Sequence, residues 1–247
     1  MNIAVRRTSV VAAVAAVLLL AGCTFGPQPM PTPTPTPDAA DSSTPRPTPT
    51  AQPEPIDPLT TVTEIVVRPE QLELHDAHGV VVATLSYDAE SAAFVGALTT
   101  VLGAAPDQTE RAASMETPAW TEYTWDGVLV IDDHEEVISA NGLGGYGSIE
   151  MNVSVAFFAP TIGDGVSVRT VNGYRPGGDT QALAAELEEP WSGNGYDQVR
   201  VESGEPIGEQ QPYSDDENAY SVAVNSWEWR GAANWIQAPW NFGIGHV

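Results

Sequence analysis

A proline-rich segment early in the chain decides where a folded domain can begin. Residues 24–57 read TFGPQPMPTPTPTPDAADSSTPRPTPTAQPEPID, in which proline alternates mainly with threonine, glutamine, serine and alanine. This composition supplies too little apolar surface to offset the conformational entropy of folding. Proline also holds itself and the residue before it in extended geometry. We expect a semi-rigid stalk that reaches up to roughly 100 Å at about 3.1 Å per residue, followed by a globular domain over residues 58–247.

The first 22 residues have the order of an export signal. Arg6 and Arg7 precede the apolar run SVVAAVAAVLLL, which is shorter than the roughly 20 residues of a bilayer-spanning helix. The run ends in Leu-Ala-Gly-Cys, and Cys23 is the one cysteine of the chain. Residues 20–23 resemble the lipobox of bacterial lipoproteins, which implies cleavage before Cys23 and acylation of its sulfur. The alternative is an ordinary cleaved signal peptide with a cysteine that happens to lie near the cut.

The lipoprotein resemblance implies a location. Two or more acyl chains, palmitate among them, hold a protein stably on a membrane. Residues 1–22 are then a signal peptide, and residues 23–57 are the lipid anchor and linker on the outer face of the cytoplasmic membrane. An acylated Cys23 leaves no thiol for a disulfide bond. The Pro/Thr-rich stalk and the lack of lysine are similar to surface lipoproteins of high-GC actinobacteria.

The charge balance is strongly acidic. The chain carries 33 aspartates and glutamates against nine arginines, which gives a formal net charge of -24. Such a charge repels nucleic acid and favours cations or basic partners, although the simpler interpretation is a well-solvated surface. We expect no nucleic-acid partner. The expected partners are the membrane, through the lipid on Cys23, and an envelope protein or a cell-wall glycan.

Residue patterns in the globular part predict an α+β domain of antiparallel β-meanders with two helices packed on the sheet. β-rich and alternating runs mark the strands, with an Asp-Gly hairpin at 126–127 and a polar loop before it. These runs lie at 62–68, 71–75, 79–86, 149–157, 165–170, 197–203 and 219–229. One helix is expected between a cap at Asp88 and Gly103, and a second after a cap at Asp179. Because a helix precedes a meander twice, a duplicated unit is suggested.

Several short motifs are typical of chemical sites but lack the context that such sites need. GLGGYG at 142–147 has the spacing of a dinucleotide-binding loop, but a strand rather than a helix is expected after it. The acidic runs 132–136 and 215–217 lack the regular spacing of a calcium loop. His75 and His78 are expected on a hairpin turn without further metal ligands. We therefore predict no catalytic residue, metal site or cofactor.

The C-terminal tryptophans are the candidate binding residues. Trp227, Trp229, Trp235 and Trp240 are four of the seven tryptophans and lie within the last 21 residues. Exposed tryptophans are enriched in binding hot spots, whereas tryptophans in a terminal strand more often form the core of a sheet. Trp227 and Trp229 are expected on one face of the last long strand. We expect at least one of these two in the core, and ligand binding by the cluster is the alternative.

These observations together favour one function and leave two others open. The favoured function is a membrane-anchored extracytoplasmic lipoprotein with a binding or scaffolding domain of unknown ligand. A cell-wall-acting hydrolase is one alternative, but 33 acidic residues do not reveal which two carboxylates would act together. The other alternative is an accessory subunit of an envelope complex. In that case the stalk extends the domain away from the membrane, and the acidic surface attracts the partner electrostatically.

Overall fold

The computed structural model describes residues 56–113, 119–133, 151–207 and 215–243. Its helices are Ser91–Leu102 (α1) and Thr180–Leu187 (α2), and a short 3-10 turn covers Pro58–Thr61. Its strands are Val62–Val67 (β1), Gln71–Asp76 (β2), Val81–Ser86 (β3), Asp107–Arg111 (β4), Trp120–Trp125 (β5), Val128–Asp133 (β6), Val153–Phe157 (β7), Thr161–Ile162 (β8), Val166–Thr170 (β9), Gln198–Pro206 (β10), Ala219–Asn225 (β11) and Trp235–Trp240 (β12). The predicted signal peptide, Cys23, the predicted stalk up to residue 55, residues 134–136 and the GLGGYG motif lie outside the described residues.

The strands form two sheets. Sheet A has five strands in the order β3-β2-β1-β9-β8, and sheet B has seven in the order β10-β11-β12-β7-β6-β5-β4. Neighbouring strands pair antiparallel throughout both sheets, except that β1 and β9 are parallel. The predicted α+β class of antiparallel meanders with two helices is confirmed.

One hydrophobic core joins the helices to both sheets. Helical spacing places Phe94, Leu98 and Val101 on a single buried face of α1, as the sequence period predicts. Each large apolar side chain that is buried contributes about 1.5–3 kcal/mol relative to leaving it exposed. The other buried members include Ile65, Leu72 and Leu74 of sheet A, Leu183 and Ala184 of α2, and Val130, Phe157, Val224 and Ile236 of sheet B.

Local chemistry explains two of the four helix ends. Gly103 ends α1 with a φ of 70°, which glycine adopts without a Cβ penalty. Asp179 caps α2, and its Oδ1 accepts a hydrogen bond from the Ala182 amide at 2.9 Å. The cap predicted at Asp88 is wrong, because a turn closed by Ala89 N–H and the Ser86 carbonyl delays the start of α1 until after Glu90. No helix in the described ranges is long and apolar enough to cross a membrane.

The suggested helix-plus-meander unit occurs twice in the element order. Helix α1 precedes β4, β5 and β6, and helix α2 precedes β10, β11 and β12. Both meanders lie in sheet B, where β6 and β12 flank β7 on its two sides. The two units therefore share one sheet and one core.

Strands β4, β8 and β12 have no counterpart among the strands predicted from the sequence, and β11 is shorter than predicted. Strand β4 lies where the sequence predicts a polar loop. The strand gave no signal in the sequence because all five of its residues are polar and exposed and show no apolar alternation. Strand β11 ends at Asn225 rather than continuing to 229, and its ladder with β10 ends at the Gln198–Asn225 pair. Trp227 and Trp229 therefore lie in a loop, and the expectation that they share a strand face is wrong.

Candidate functional site

The loop that joins β11 to β12, residues 226–234, packs on the outer face of sheet B, and we call it the aromatic loop. Strand alternation turns Val128, Val130 and Val155 into the main core and directs the residues between them to the opposite face of the same strands. On that opposite face, Leu129, Ala156 and Trp235 form a second apolar cluster, against which Ile131, Phe158, Trp227 and Trp229 pack. The aromatic loop thus covers the middle of sheet B from outside.

Trp235 is the centre of this second cluster. It is only 2% exposed, and its indole N–H donates to the Trp227 carbonyl at 3.1 Å. Its ring centroid lies 5.5 Å from that of Trp227 and 4.7 Å from that of Trp229, and Trp229 meets Phe158 edge-on at 5.3 Å. Such tilted and edge-to-face pairs add about 0.5–1.5 kcal/mol beyond the buried area.

The four predicted tryptophans occupy different surroundings. Trp235 is buried, Trp227 and Trp229 are half-buried around it, and Trp240 is half-buried at the far end of β12, where it pairs with Ser221. The structure therefore brings three of the four together and places the fourth apart. Neither Trp227 nor Trp229 is fully buried, so the expectation that at least one of them lies in the core is wrong; each packs on the second apolar cluster and keeps part of its surface accessible.

Glu122 of β5 fastens the aromatic loop to the sheet. Its Oε2 accepts hydrogen bonds from Arg111 Nη2 at 3.0 Å and from Arg230 Nη2 at 2.8 Å, and its Oε1 accepts one from the Trp120 indole at 3.2 Å. The hydrogen bond from Arg111, then those from Arg230 and Trp120, lower the pKa of Glu122 to about 2 against the opposing effect of burial. The Arg230 guanidinium also lies 5.6 Å from the Trp229 ring centroid.

A cleft of about 240 Å³ lies beside the base of the aromatic loop, and we call it the Trp191 cleft. The two ends of the loop, Ser226 and Asn234, contribute one part of its wall. The start of α2 and the segment that follows α2 contribute the rest. The lining residues are Asp179, Thr180, Gln181, Trp191, Gly193, Gly195, Ser226 and Asn234.

Asp197 holds the parts of this cleft in place. Its carboxylate accepts hydrogen bonds from the Ser192 hydroxyl and amide, both at 2.6 Å, and from the Gly193 amide at 3.0 Å. These bonds, the Ser192 hydroxyl first, lower the pKa of Asp197. The Asp197 amide in turn donates to Ser226 Oγ at 2.8 Å. One residue therefore braces both the glycine-rich segment and the aromatic loop.

The remaining wall is also fixed by hydrogen bonds. Asn234 Nδ2 donates to the Gly178 carbonyl at 3.0 Å, and the Gly177 amide donates to the Asn234 carbonyl at 2.7 Å. The buried Thr180 hydroxyl pairs with the Tyr174 hydroxyl at 2.9 Å. The cleft is thus formed by groups that are held in place without a ligand.

Sequence reasoning missed Trp191. The segment WSGNGYD at 191–197 has the turn signal of two closely spaced glycines between a helix and a strand. That signal predicts an ordered loop, but it does not say that the loop will face residues 226 and 234. The cleft arises from that long-range contact.

A second cleft, of about 410 Å³, lies at the end of α1. Leu102, Ala104 and Trp125 supply apolar lining, and Asp107 and Asp126 supply two carboxylates. The Trp125 indole N–H donates to the Ala104 carbonyl at 2.8 Å and so holds the ring in position. This arrangement offers an acidic, partly apolar surface.

The histidines and the acidic runs show no metal-site geometry within the described residues. His75 lies in β2, where it is buried and its Nε2 is 3.2 Å from Glu73 Oε2, so the expectation that it lies on a turn is wrong. His78 is exposed on the turn after β2. In the part of the chain that the structure describes, no three His, Cys, Asp or Glu side chains are grouped so as to hold a metal ion.

The arginines of the described residues are all engaged by carboxylates. Two of them share Glu64, at 3.0 Å for Arg169 and 3.6 Å for Arg175, and two share Glu122. Arg68 binds Glu73 and Glu202, and Arg200 binds Glu189 and Asp216. The positive charge of each is thus locally neutralised, so these residues provide no basic patch for an anionic ligand.

No family model matches the chain, and neither a curated protein nor a solved structure matches it. Any function assigned to the Trp191 cleft and the aromatic loop therefore rests on their own geometry.

Proposed function

We propose that the chain is a membrane-anchored extracytoplasmic binding protein. In this proposal, lipid on Cys23 holds the protein at the outer face of the cytoplasmic membrane, and residues 24–57 carry the α+β domain away from the bilayer. The Trp191 cleft and the neighbouring aromatic loop receive the ligand. The order of charged residues, apolar run and Leu-Ala-Gly-Cys supports the anchor.

The observation that carries the binding role is the bracing of the Trp191 cleft by Asp197. A site whose walls are already hydrogen-bonded loses little conformational entropy on binding, which favours affinity. The cleft also combines a tryptophan with several amide and hydroxyl groups, as small-ligand sites commonly do.

The anchor is tested by the variant Cys23→Ser, with Thr24→Ser as its matched neighbour. We expect Cys23→Ser to move to the soluble fraction and to lose incorporation of labelled palmitate, because a serine hydroxyl does not form the thioether with the lipid. Thr24→Ser should fractionate with the membrane like the wild type. If Cys23→Ser remains with the membrane and the wild type carries no lipid mass, the anchor proposal fails.

Ligand binding is tested by photo-crosslinking in cells, a method that works for a ligand of any identity. A benzophenone amino acid replaces Tyr196, an exposed residue that follows the cleft-lining Gly195, or Gln108, an exposed residue of β4. We expect an adduct at position 196 and none at position 108. Equal labelling at the two positions, or none at either, would contradict a binding role for this cleft.

A cell-wall-acting hydrolase is the second candidate, because Asp107 and Asp126 line one cleft. Glycoside hydrolysis uses two carboxylates on either side of the scissile bond. In this alternative the wild type clears a suspension of purified cell walls, and Asp107→Asn and Asp126→Asn each abolish the clearing. If the wild type leaves the turbidity unchanged, the hydrolase alternative is rejected and the binding proposal is unaffected.

A further inference from the structure

We propose that the Trp191 cleft binds a neutral sugar residue of a glycan, with the sugar ring against Trp191. This inference rests on the proposed binding function and specifies its ligand. It follows from the size of the cleft, from the aromatic side chain in its lining, and from the polar groups around that side chain.

The size of the cleft matches a small ring. Pockets for drug-sized ligands have volumes of about 300–1,000 Å³, and the Trp191 cleft, at about 240 Å³, lies just below that range. A single pyranose ring is smaller than a drug-sized ligand, so one sugar residue fits while the rest of a glycan chain continues outside.

Trp191 supplies an apolar surface with a donor at its edge. The side chain is half-buried and packs on the main core, which fixes the ring. Its indole N–H has no hydrogen-bond partner among residues 56–113, 119–133, 151–207 and 215–243. Gly193 leaves space beside this N–H, because a Cβ added at that glycine would lie 3.6 Å from the indole nitrogen. Sugars present a C–H face that packs on aromatic rings and hydroxyl groups that bind such donors.

The neighbouring polar groups supply both donors and acceptors. Gln181 is exposed, and its side-chain amide forms no hydrogen bond within the described parts of the chain. Asn234 uses Nδ2 to hold Gly178, which leaves Oδ1 as an acceptor, and Asp179 uses Oδ1 to cap α2, which leaves Oδ2. Sugar hydroxyls donate and accept at once, so this mixed set suits them.

Charge selects a neutral ligand rather than an ionic one. Among the described residues that line the cleft there is no arginine, and Asp179 repels phosphate or uronate groups. An organic cation is disfavoured because Asp179 is the one carboxylate in this described lining, and one of its two oxygens already caps α2. The hydroxyl and amide groups of the lining outnumber this single carboxylate, which suits a neutral ligand.

The tyrosine beside the cleft offers a second surface for an extended glycan. Tyr196 follows the lining residue Gly195 and is 76% exposed. In the proposed complex, a second sugar residue of the same glycan packs on this ring.

The test uses the full-length protein in detergent and defined oligosaccharides. The probes are the neutral trisaccharides cellotriose, maltotriose and tri-N-acetylchitotriose, with trigalacturonic acid and a trilysine peptide as charged comparisons. Titration calorimetry should show a Kd of about 0.1–5 mM for at least one neutral trisaccharide and no binding of the charged probes. Co-sedimentation with purified cell walls, competed by the trisaccharide that binds, tells a wall polymer from a soluble glycan.

Three variants locate the site. Trp191→Ala and Gln181→Ala should each raise the Kd at least tenfold, and Trp191→Phe should recover part of the affinity. Gln181 is exposed, so its replacement leaves folding intact even if Trp191→Ala is unstable. Gln108→Ala on β4 is the matched control and should bind like the wild type.

Three outcomes would overturn the inference. The first is the failure of all three neutral trisaccharides to bind at concentrations well above the expected Kd range, and the second is binding that Gln181→Ala leaves unchanged. The third is binding of trilysine instead of a neutral trisaccharide. In each case a photo-crosslink confined to position 196 would still support the proposed binding function, so its failure and the failure of the sugar assignment are distinguishable.

Discussion

Arg230 and Glu122 are 108 residues apart in the sequence, and Arg230 Nη2 lies 2.8 Å from Glu122 Oε2. This contact joins the aromatic loop to β5 across the outer face of sheet B. The same carboxylate binds Arg111 of β4, which is the neighbouring strand. Of the two arginines that bind Glu122, Arg230 therefore holds the loop and Arg111 does not.

Arg230→Ala should loosen the aromatic loop, whereas Arg111→Ala should leave it in place. The Arg230 variant loses the ion pair and the contact with the Trp229 ring, so we expect a loss of about 1–2 kcal/mol in the free energy of unfolding. Tryptophan fluorescence should shift to longer wavelength, and amide exchange should accelerate in residues 228–233. Similar spectra and exchange rates for the two variants would show that the ion pair does not hold the loop.

The Glu122 contact should depend on pH in the acidic range. The pKa of Glu122 is about 2 in the folded protein and lies near 4.5 when the chain is unfolded. Because the folded value is the lower one, the stabilisation is complete above pH 4.5 and is lost as the pH falls towards 2. Denaturant titrations should show the difference between wild type and Glu122→Gln shrinking between neutral pH and strongly acidic pH. A difference independent of pH would contradict this assignment.

Trp235→Ala should destabilise the protein more than Trp227→Ala. Trp235 is almost fully buried, so its removal leaves a cavity and costs about 3–5 kcal/mol. Trp227 is half-buried in the loop, and its loss should cost about 1–3 kcal/mol. Chemical denaturation measures both, with the exposed Glu228→Ala as the control in the same loop. Equal losses for the two tryptophans would mean that Trp235 is not the centre of the cluster.

Gly163→Ala should be more damaging than Gly165→Ala, although both glycines have positive φ values. A Cβ at Gly163 would lie 2.9 Å from the Leu102 carbonyl oxygen at the end of α1, whereas a Cβ at Gly165 meets no atom within 4 Å. Both variants carry backbone strain, but only Gly163→Ala must also move the helix end, which adds about 1–3 kcal/mol. Thermal denaturation compares them. If Gly165→Ala is the less stable of the two, the close packing on α1 is not the deciding factor.

Much of the fold could be predicted because its signals are local. The spacing of Phe94, Leu98 and Val101 predicts the buried face of α1, and Gly103 marks its end. Asp179 reveals the start of α2 in the same way, since a cap involves residues within one turn. Strand β4 could not be predicted because its neighbour β5, rather than its own polar residues, makes it a strand.

The candidate site was predictable only in part. The concentration of tryptophans pointed to the right region, but it did not separate the buried Trp235 from the more accessible Trp227 and Trp229, or from Trp240 at the other end of β12. Trp191 carried no signal of its own. The cleft around it forms only where residues 179–181, 191–195, 226 and 234 meet, and these residues belong to different elements.

The sequence by itself determined the proline-rich segment, the acidic charge, the α+β class and the position of both helices, because composition, periodicity and capping depend on residues that are close along the chain. Only the tertiary structure decided where β11 stops, which tryptophans are buried, and what lines the Trp191 cleft. Those outcomes depend on contacts over long sequence separations, such as the 29 residues between Asp197 and Ser226 and the 108 between Glu122 and Arg230. No local pattern encodes such a meeting, since it requires the whole order of sheet B to be in place.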